Sequence, residues 1–186
     1  MTRELEGKIM DNEDLVREYS NNLTTYEQFT NLMETYICNL LNREQISFHS
    51  ITSRTKSIES LSKKIELKNK YQKLDEITDL SGIRVITYYT DTVDQISKLI
   101  ENEFIIDRDN SIDKRKSLDP KRFGYRSLHY VVQIDPKYVK AQEYLKYHNL
   151  KLEIQISSIL QYTWAEIEHD FCLLYTSPSP RDISGS

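Results

Sequence analysis

Cysteine is scarce in this 186-residue chain. The two present, Cys38 and Cys172, stand in no metal-ligand spacing and are too few for a disulfide framework, which points to a reducing compartment, the cytoplasm. Long apolar runs are missing too. No stretch is long enough to cross a bilayer, and the charged start MTRELEGKIMDNEDL lacks the apolar run of a signal peptide, so no membrane partner is expected. Net positive charge is also lacking: 25 Lys+Arg against 29 Asp+Glu leave a formal −4. The surface as a whole is therefore no nucleic-acid magnet, and any anion site has to be a local cluster of positive charge. No internal repeat is visible. What is there, 38% hydrophobic and 29% charged residues, is the mix of a globular domain, and the length suits one domain with a full-sized core.

Leu15, Tyr19, Leu23, Tyr26, Met33, Tyr36, Ile37, Leu40 and Leu41 recur at three- and four-residue steps. That period predicts one amphipathic helix, or two in succession, up to about Arg43. Alternation over Ile46 to Ser53 predicts a short strand, and Ile58, Leu61 and Ile65 put one side of a helix over Lys56 to Lys68 against the core. Gly82 to Tyr89 reads as a buried strand, Thr92 to Glu101 as a helix and Phe104 to Asp107 as a strand. Residues 108–124, rich in Lys and Arg and broken by Pro120 and Gly124, read as a mobile polar loop. Tyr125 to Ile134 and Leu152 to Ile156 are expected strands, with a helix from Pro136 to His148 between them and another from Ile159 to Phe171. Strands alternating with helices make an α/β or α+β sheet with helical cover.

Three stretches could carry chemistry. Lys56, Ser60 and Lys64 are four apart and would share a helix face, with the helix starting near Arg54 and Thr55 so that its free N–H groups add to the stripe. That could cradle a polyphosphate, though taken alone it is also an ordinary amphipathic helix. Asp79 stands just before a buried strand, and Glu153 and Gln155 must face away from Leu152, Ile154 and Ile156. Two such carboxylates on the polar side of a sheet could share Mg²⁺ with phosphate oxygens. In Phe123 to Val132, alternation puts Tyr125, Ser127 and His129 on one face, and Gly124 permits the tight backbone that aims Tyr125 outward. An aromatic beside Lys121 and Arg122 has the composition of a base-stacking platform, a contact worth about 1–3 kcal/mol. Any one of the 13 tyrosines could equally be a half-buried sheet residue.

Taken in order, Arg54-x-Lys56-x-x-x-Ser60-x-x-x-Lys64, Asp79-Leu80-x-Gly82-x-Arg84-Val85, Gly124-Tyr125-Arg126-Ser127-Leu128-His129, Glu153-Ile154-Gln155-Ile156 and Gln161-x-x-Trp164-Ala165-Glu166-Ile167-Glu168-His169-Asp170 resemble the RelA/SpoT synthetase family over residues 46–171. No HD-type hydrolase motif precedes the region, so the chain looks more like the single-domain small synthetases than the long bifunctional members. The resemblance implies an α+β fold: a nucleotidyltransferase-like mixed sheet flanked by helices. It divides the chain into an N-terminal helical segment (1–44), a synthetase domain (45–171) and a tail (172–186). It implies that the 3′-hydroxyl of GDP or GTP attacks the β-phosphate of ATP, giving ppGpp or pppGpp and AMP. By position, Asp79 and Glu153 would hold Mg²⁺, and Glu153 would orient or deprotonate the hydroxyl. Arg54, Lys56, Ser60 and Lys64 would bind ATP, while Lys121, Tyr125, His129 and Gln155 would bind the acceptor. Positioning and charge neutralisation suffice for such a transfer without a covalent nucleophile.

Two departures from the family pattern stand out. Ser157 and Ser158 follow Glu-x-Gln-Ile where Arg-Thr is usual, which removes a cation near the reacting phosphates, and Tyr162 takes the place of a histidine. Residues 172–182, CLLYTSPSPRD, match the translation of a transposase-type sequencing adapter, so 172–186 is expected to be a non-native tail. Family members continue past this point with helical segments that complete the core's cover, and the full-length native protein is expected to be a homo-oligomer. Two rival readings remain. One keeps the donor and changes the acceptor to an adenine nucleotide or the 3′ end of tRNA, with the basic loop on RNA phosphates; the other is a weakly active nucleotide-sensing module.

Overall fold

In the computed structural model, residues 11–113, 127–135 and 146–176 are described, the side chains of 113 and 168–176 excepted. The N-terminal periodicity resolves as one helix, α1 (Asn12–Arg43), with no Pro or Gly to break it. Asp11 caps its start, its carboxylate accepting from Asp14 N at 2.7 Å. Its end is a left-handed turn at Gln45 (φ 55°), where Ile46 N donates to Leu41 O and Gln45 N to Asn42 O.

Five strands follow among the described residues: β1 (Ser50–Thr55), β2 (Ser81–Thr87), β3 (Phe104–Asp113), β4 (Leu128–Ile134) and β5 (Leu152–Ser158). They form one sheet in the order β1-β2-β5-β4-β3, antiparallel except for the central β2–β5 pair. With α2 (Ile58–Lys68), α3 (Thr90–Glu103) and α4 (Ile159–Thr176), this is the expected α+β arrangement of a mixed sheet and flanking helices. One face of the sheet is the core: Ile83, Val85, Leu128, Tyr130, Leu152, Ile154 and Ile156 pack with Phe29, Met33, Ile37 and Leu41 of α1 and Val93, Ile96 and Ile100 of α3. A second cluster joins Leu15, Tyr19 and Tyr26 of α1 to Leu61 and Ile65 of α2 and to Leu74, Ile77 and Leu80. No helix among the described residues is long and apolar enough to cross a membrane.

The structure moves several boundaries. β1 begins at Ser50 and runs through Arg54 to Thr55, and α2 begins only at Ile58, because Ser57 takes the cap and its hydroxyl accepts from Ser60 N at 3.2 Å. Arg54 and Lys56 therefore precede the helix instead of opening it. Residues 108–113, expected as loop, continue β3 past an irregularity between Asp107 and Ile112, where Asn110 folds back on the Asp107 carboxylate. α4 runs to Thr176, beyond Phe171, through an apolar CLLYT stretch with no helix breaker. The rest of the basic loop (114–124), the start of the expected strand at 125–126, most of the expected helix (136–145) and residues 177–186 of the tail lie outside the described residues. At the end of that expected helix, residues 146–147 are 3-10 helical and 148–149 form a turn.

Candidate active site

The sheet face away from the core carries the polar side chains of the strands in cross-strand register. One row runs Arg54–Gly82–Glu153 across β1, β2 and β5; the next runs Thr52–Arg84–Gln155–His129 and extends to β4. The alternation in β5 puts Leu152, Ile154 and Ile156 wholly in the core and turns Glu153 and Gln155 outward, half-buried. These rows enclose a cavity of about 180 Å³ lined by Thr52, Ser53, Arg54, Gly82, Ile83, Arg84, Glu153 and Gln155. Gly82 leaves its floor open, and Arg54 lies across it: a Cβ there would stand 3.7 Å from Arg54 Cγ and 3.8 Å from Nε.

Asp79 lies at the entry to β2. Lys56 Nζ meets its Oδ2 at 2.9 Å and Lys64 Nζ its Oδ1 at 2.7 Å. Each carboxylate oxygen of Asp79 is therefore paired with its own ammonium group. The two lysines meet through this carboxylate, not along a helix stripe. Lys56 is fixed by its own backbone: its N–H donates to Leu80 O at 2.9 Å, and its carbonyl accepts from Tyr19 Oη at 2.6 Å. Burial pushes the Asp79 carboxyl up, but the Lys64 and Lys56 ammonium groups outweigh it and hold it below its ordinary value.

Glu153 is bridged to β4. His129 Nδ1 lies 3.0 Å from its Oε1, and His129 Nε2 lies 2.7 Å from the buried Ser127 Oγ. Burial raises the Glu153 carboxyl, but the hydrogen bond and charge of His129, with help from Gln155, leave it below the ordinary range. The Asp79 charge pushes the other way, so the two carboxylates sense each other. Among the described residues no three His, Cys, Asp or Glu side chains converge as a metal site. The chain offers two carboxylates near enough to sense each other, Asp79 and Glu153, oxygen ligands of the kind a hard cation takes alongside phosphate and water.

Of the sequence-predicted residues, Arg54, His129, Glu153 and Gln155 share the polar face, and Asp79, Lys56 and Lys64 form one cluster. Ser60 stands apart, exposed and engaged with the Ser57 hydroxyl at 2.9 Å in the α2 cap. Lys121 and Tyr125 lie outside the described residues. Sequence reasoning gave no role to Arg84, which lines the cavity. Its position two residues after Gly82 in a strand with Ile83 and Val85 buried was the available signal. Arg84 is met by Gln155 Oε1 at 3.5 Å and by the Tyr162 ring, 5.3 Å from guanidinium carbon to centroid. The two serines after Gln155-Ile156 are buried. Ser158 opens α4 with a reciprocal cap: its N–H donates to Gln161 Oε1 at 2.9 Å, and Gln161 N–H to Ser158 Oγ at 3.4 Å.

The family model described as "Region found in RelA / SpoT proteins" matches residues 53–177. The chain is 27% identical over 184 residues to the GTP pyrophosphokinase YwaC of Bacillus subtilis, covering 91% of this chain and 82% of that protein. Its fold is similar to the crystal structure of small alarmone synthetase 1 from Bacillus subtilis, with a TM-score of 0.66 at 20% identity over 90% of this chain and 85% of the other. The same synthetase bound to its product pppGpp superimposes with a TM-score of 0.64 at 22% identity, covering 87% and 84%.

Proposed function

The chain belongs to the RelA/SpoT family, and from that premise we propose that it is a (p)ppGpp synthetase, transferring pyrophosphate from ATP to the 3′-hydroxyl of GDP or GTP. The observation that carries this reading is the polar face of the sheet. An anionic base, Glu153, stands in register with Arg54 across a side-chain-free Gly82, beside a carboxylate flanked by Lys56 and Lys64. A bond forms between the acceptor 3′-oxygen and the β-phosphorus of ATP, the α–β bridge breaks, and AMP leaves. Glu153 receives the hydroxyl proton: its depressed proton affinity keeps it ionised at neutral pH, and His129 holds Oε1 so that the other oxygen can turn to the acceptor. Arg54, Lys56, Lys64 and Arg84 supply the positive charge that the donor's phosphates and base need, and they sit on rigid elements so that little reorganisation is required. Mg²⁺ is the expected cofactor; Asp79 and Glu153 would hold it, and it would neutralise charge on the phosphates. In this reading Tyr125 stacks on guanine, Lys121 and His129 serve the acceptor's phosphates and sugar, and the reaction runs in the cytoplasm.

The test is label transfer from γ-labelled ATP with Mg²⁺, offering GDP, GTP, AMP and tRNA in parallel. Label should appear on the guanine nucleotides and fall about 10²–10⁴-fold in Glu153→Gln, the range expected for loss of a general base. Label on tRNA or AMP instead would reassign the acceptor. Nucleotide binding with no transfer to any of them would make the chain a sensing module.

A further inference from the structure

We propose that Tyr162 is a positioning residue for the donor site: its ring seats the Arg84 guanidinium and aims it into the Arg54–Glu153 cavity. The proposal rests on the reading of that cavity as the ATP site. Arg84 is a cation on a central strand, lining the cavity from the middle of the polar face. Strand neighbours in this position commonly meet an arginine with a carboxylate. Among the described residues its contacts are neutral: Gln155 Oε1 at a long 3.5 Å, and the face of Tyr162 at 5.3 Å. A carboxylate would occupy the N–H fork and cancel the charge. An aromatic face orients the guanidinium while leaving its charge, its donors and its opposite planar face for a ligand.

The seat is itself held in place. Tyr162 lies in the first turn of α4, one residue after Gln161, and the reciprocal Ser158–Gln161 cap ties that turn to the end of β5. β5 pairs with β2 in register, Arg84 opposite Gln155 and Thr87 opposite Ser158. The cap, the strand pair and the ring therefore form a closed frame with Arg84 as its one charged member pointing at the cavity. The replacement of the family's histidine gives this chain a larger, uncharged ring at that position.

The experiment compares Tyr162→Phe and Tyr162→Leu with the unmodified chain, titrating a non-hydrolysable α,β-methylene ATP analogue and, separately, GDP by calorimetry. Phe keeps the aromatic face and should bind the analogue as the unmodified chain does. Leu removes the face and should weaken the analogue about tenfold, the scale of a partly desolvated cation–π contact, with GDP changed by less than about twofold. The same split should appear in KM for ATP against KM for the acceptor. Unchanged analogue affinity in Leu, an equal loss in Phe, or parallel losses for both nucleotides would each overturn the seat. Failure of the unmodified chain to bind the analogue would overturn it together with the ATP-site reading. Binding without pyrophosphate transfer would defeat only the proposed activity, and the Phe-to-Leu ratio would still decide the role of Tyr162.

Discussion

Asp79 gathers two ammonium groups onto one largely buried carboxylate. Its carboxylate is flanked by two ammonium groups and pushed below its ordinary value of 3.8. As pH falls, the unfolded chain takes up this proton before the folded one does. The stabilisation from the cluster is therefore complete above about pH 5 and is lost as pH drops through the folded-state value. In metal-free buffer, Asp79→Asn should lower the melting temperature at neutral pH, where Lys56 and Lys64 are left facing each other, and should flatten the acid arm. Identical slopes of melting temperature against pH below about 5 for variant and parent would refute the linkage. How far such a cluster can be read from sequence depends on what sets it. Glu153's direction follows from strict alternation with Leu152, Ile154 and Ile156, a purely local rule. The convergence of Lys56 and Lys64 on Asp79 depends on how α2 packs against α1, which periodicity does not encode; the sequence placed both lysines on one helix stripe, and the structure brings them together from a strand exit and a helix.

At the scale of elements, caps decided the boundaries that composition misjudged. Ser57 shifts the start of α2 to Ile58, so Arg54 belongs to a strand and its side chain crosses Gly82. In β3, Arg108 to Asn110 have loop-like composition, yet the strand continues because β4 supplies the ladder and Asp107 ties the irregularity together, also accepting from Lys151 at 2.9 Å. An edge strand with one solvated side tolerates such residues, which is why polarity alone misleads there. The cap of α4 offers a direct measurement. Ser158→Ala removes the hydroxyl half of the reciprocal pair and should cost about 1 kcal/mol. Chemical denaturation should show this loss, and Ser158→Thr should recover most of it; Ala and Thr variants of equal stability would mean the cap contributes nothing.

Across the whole molecule, α1 unites two apolar clusters. Leu15, Tyr19 and Tyr26 belong to the one built with α2, and Phe29, Met33, Ile37 and Leu41 to the one under the sheet. Since both clusters share a continuous helix, the domain should unfold in one step. The single tryptophan, Trp164, reports on α4 and not on α1, so its fluorescence and far-UV circular dichroism should give the same midpoint. Phe29→Ala empties a fully buried site and should lower stability by about 3–5 kcal/mol, moving both probes together. Separate midpoints would show that the clusters melt independently. The N-terminal segment, legible as a helix from its apolar spacing, gave no hint of this bridging role, because spacing fixes which face is apolar and not what covers it.

The strand order has a consequence for when the enzyme comes into being. β5 is the last strand in chain order among the described residues, yet it occupies the centre of the sheet, between β2 and β4. Until it arrives, the β1–β2 and β3–β4 ribbons share no ladder and are two unjoined halves. A chain emerging from the ribosome holds its cationic and imidazole groups early, but the Glu153 carboxylate rides in on the wedge that closes the sheet. Completion of the sheet and assembly of its polar face are thus one event, and a nascent chain lacking that wedge has no Arg54–Gly82–Glu153 row.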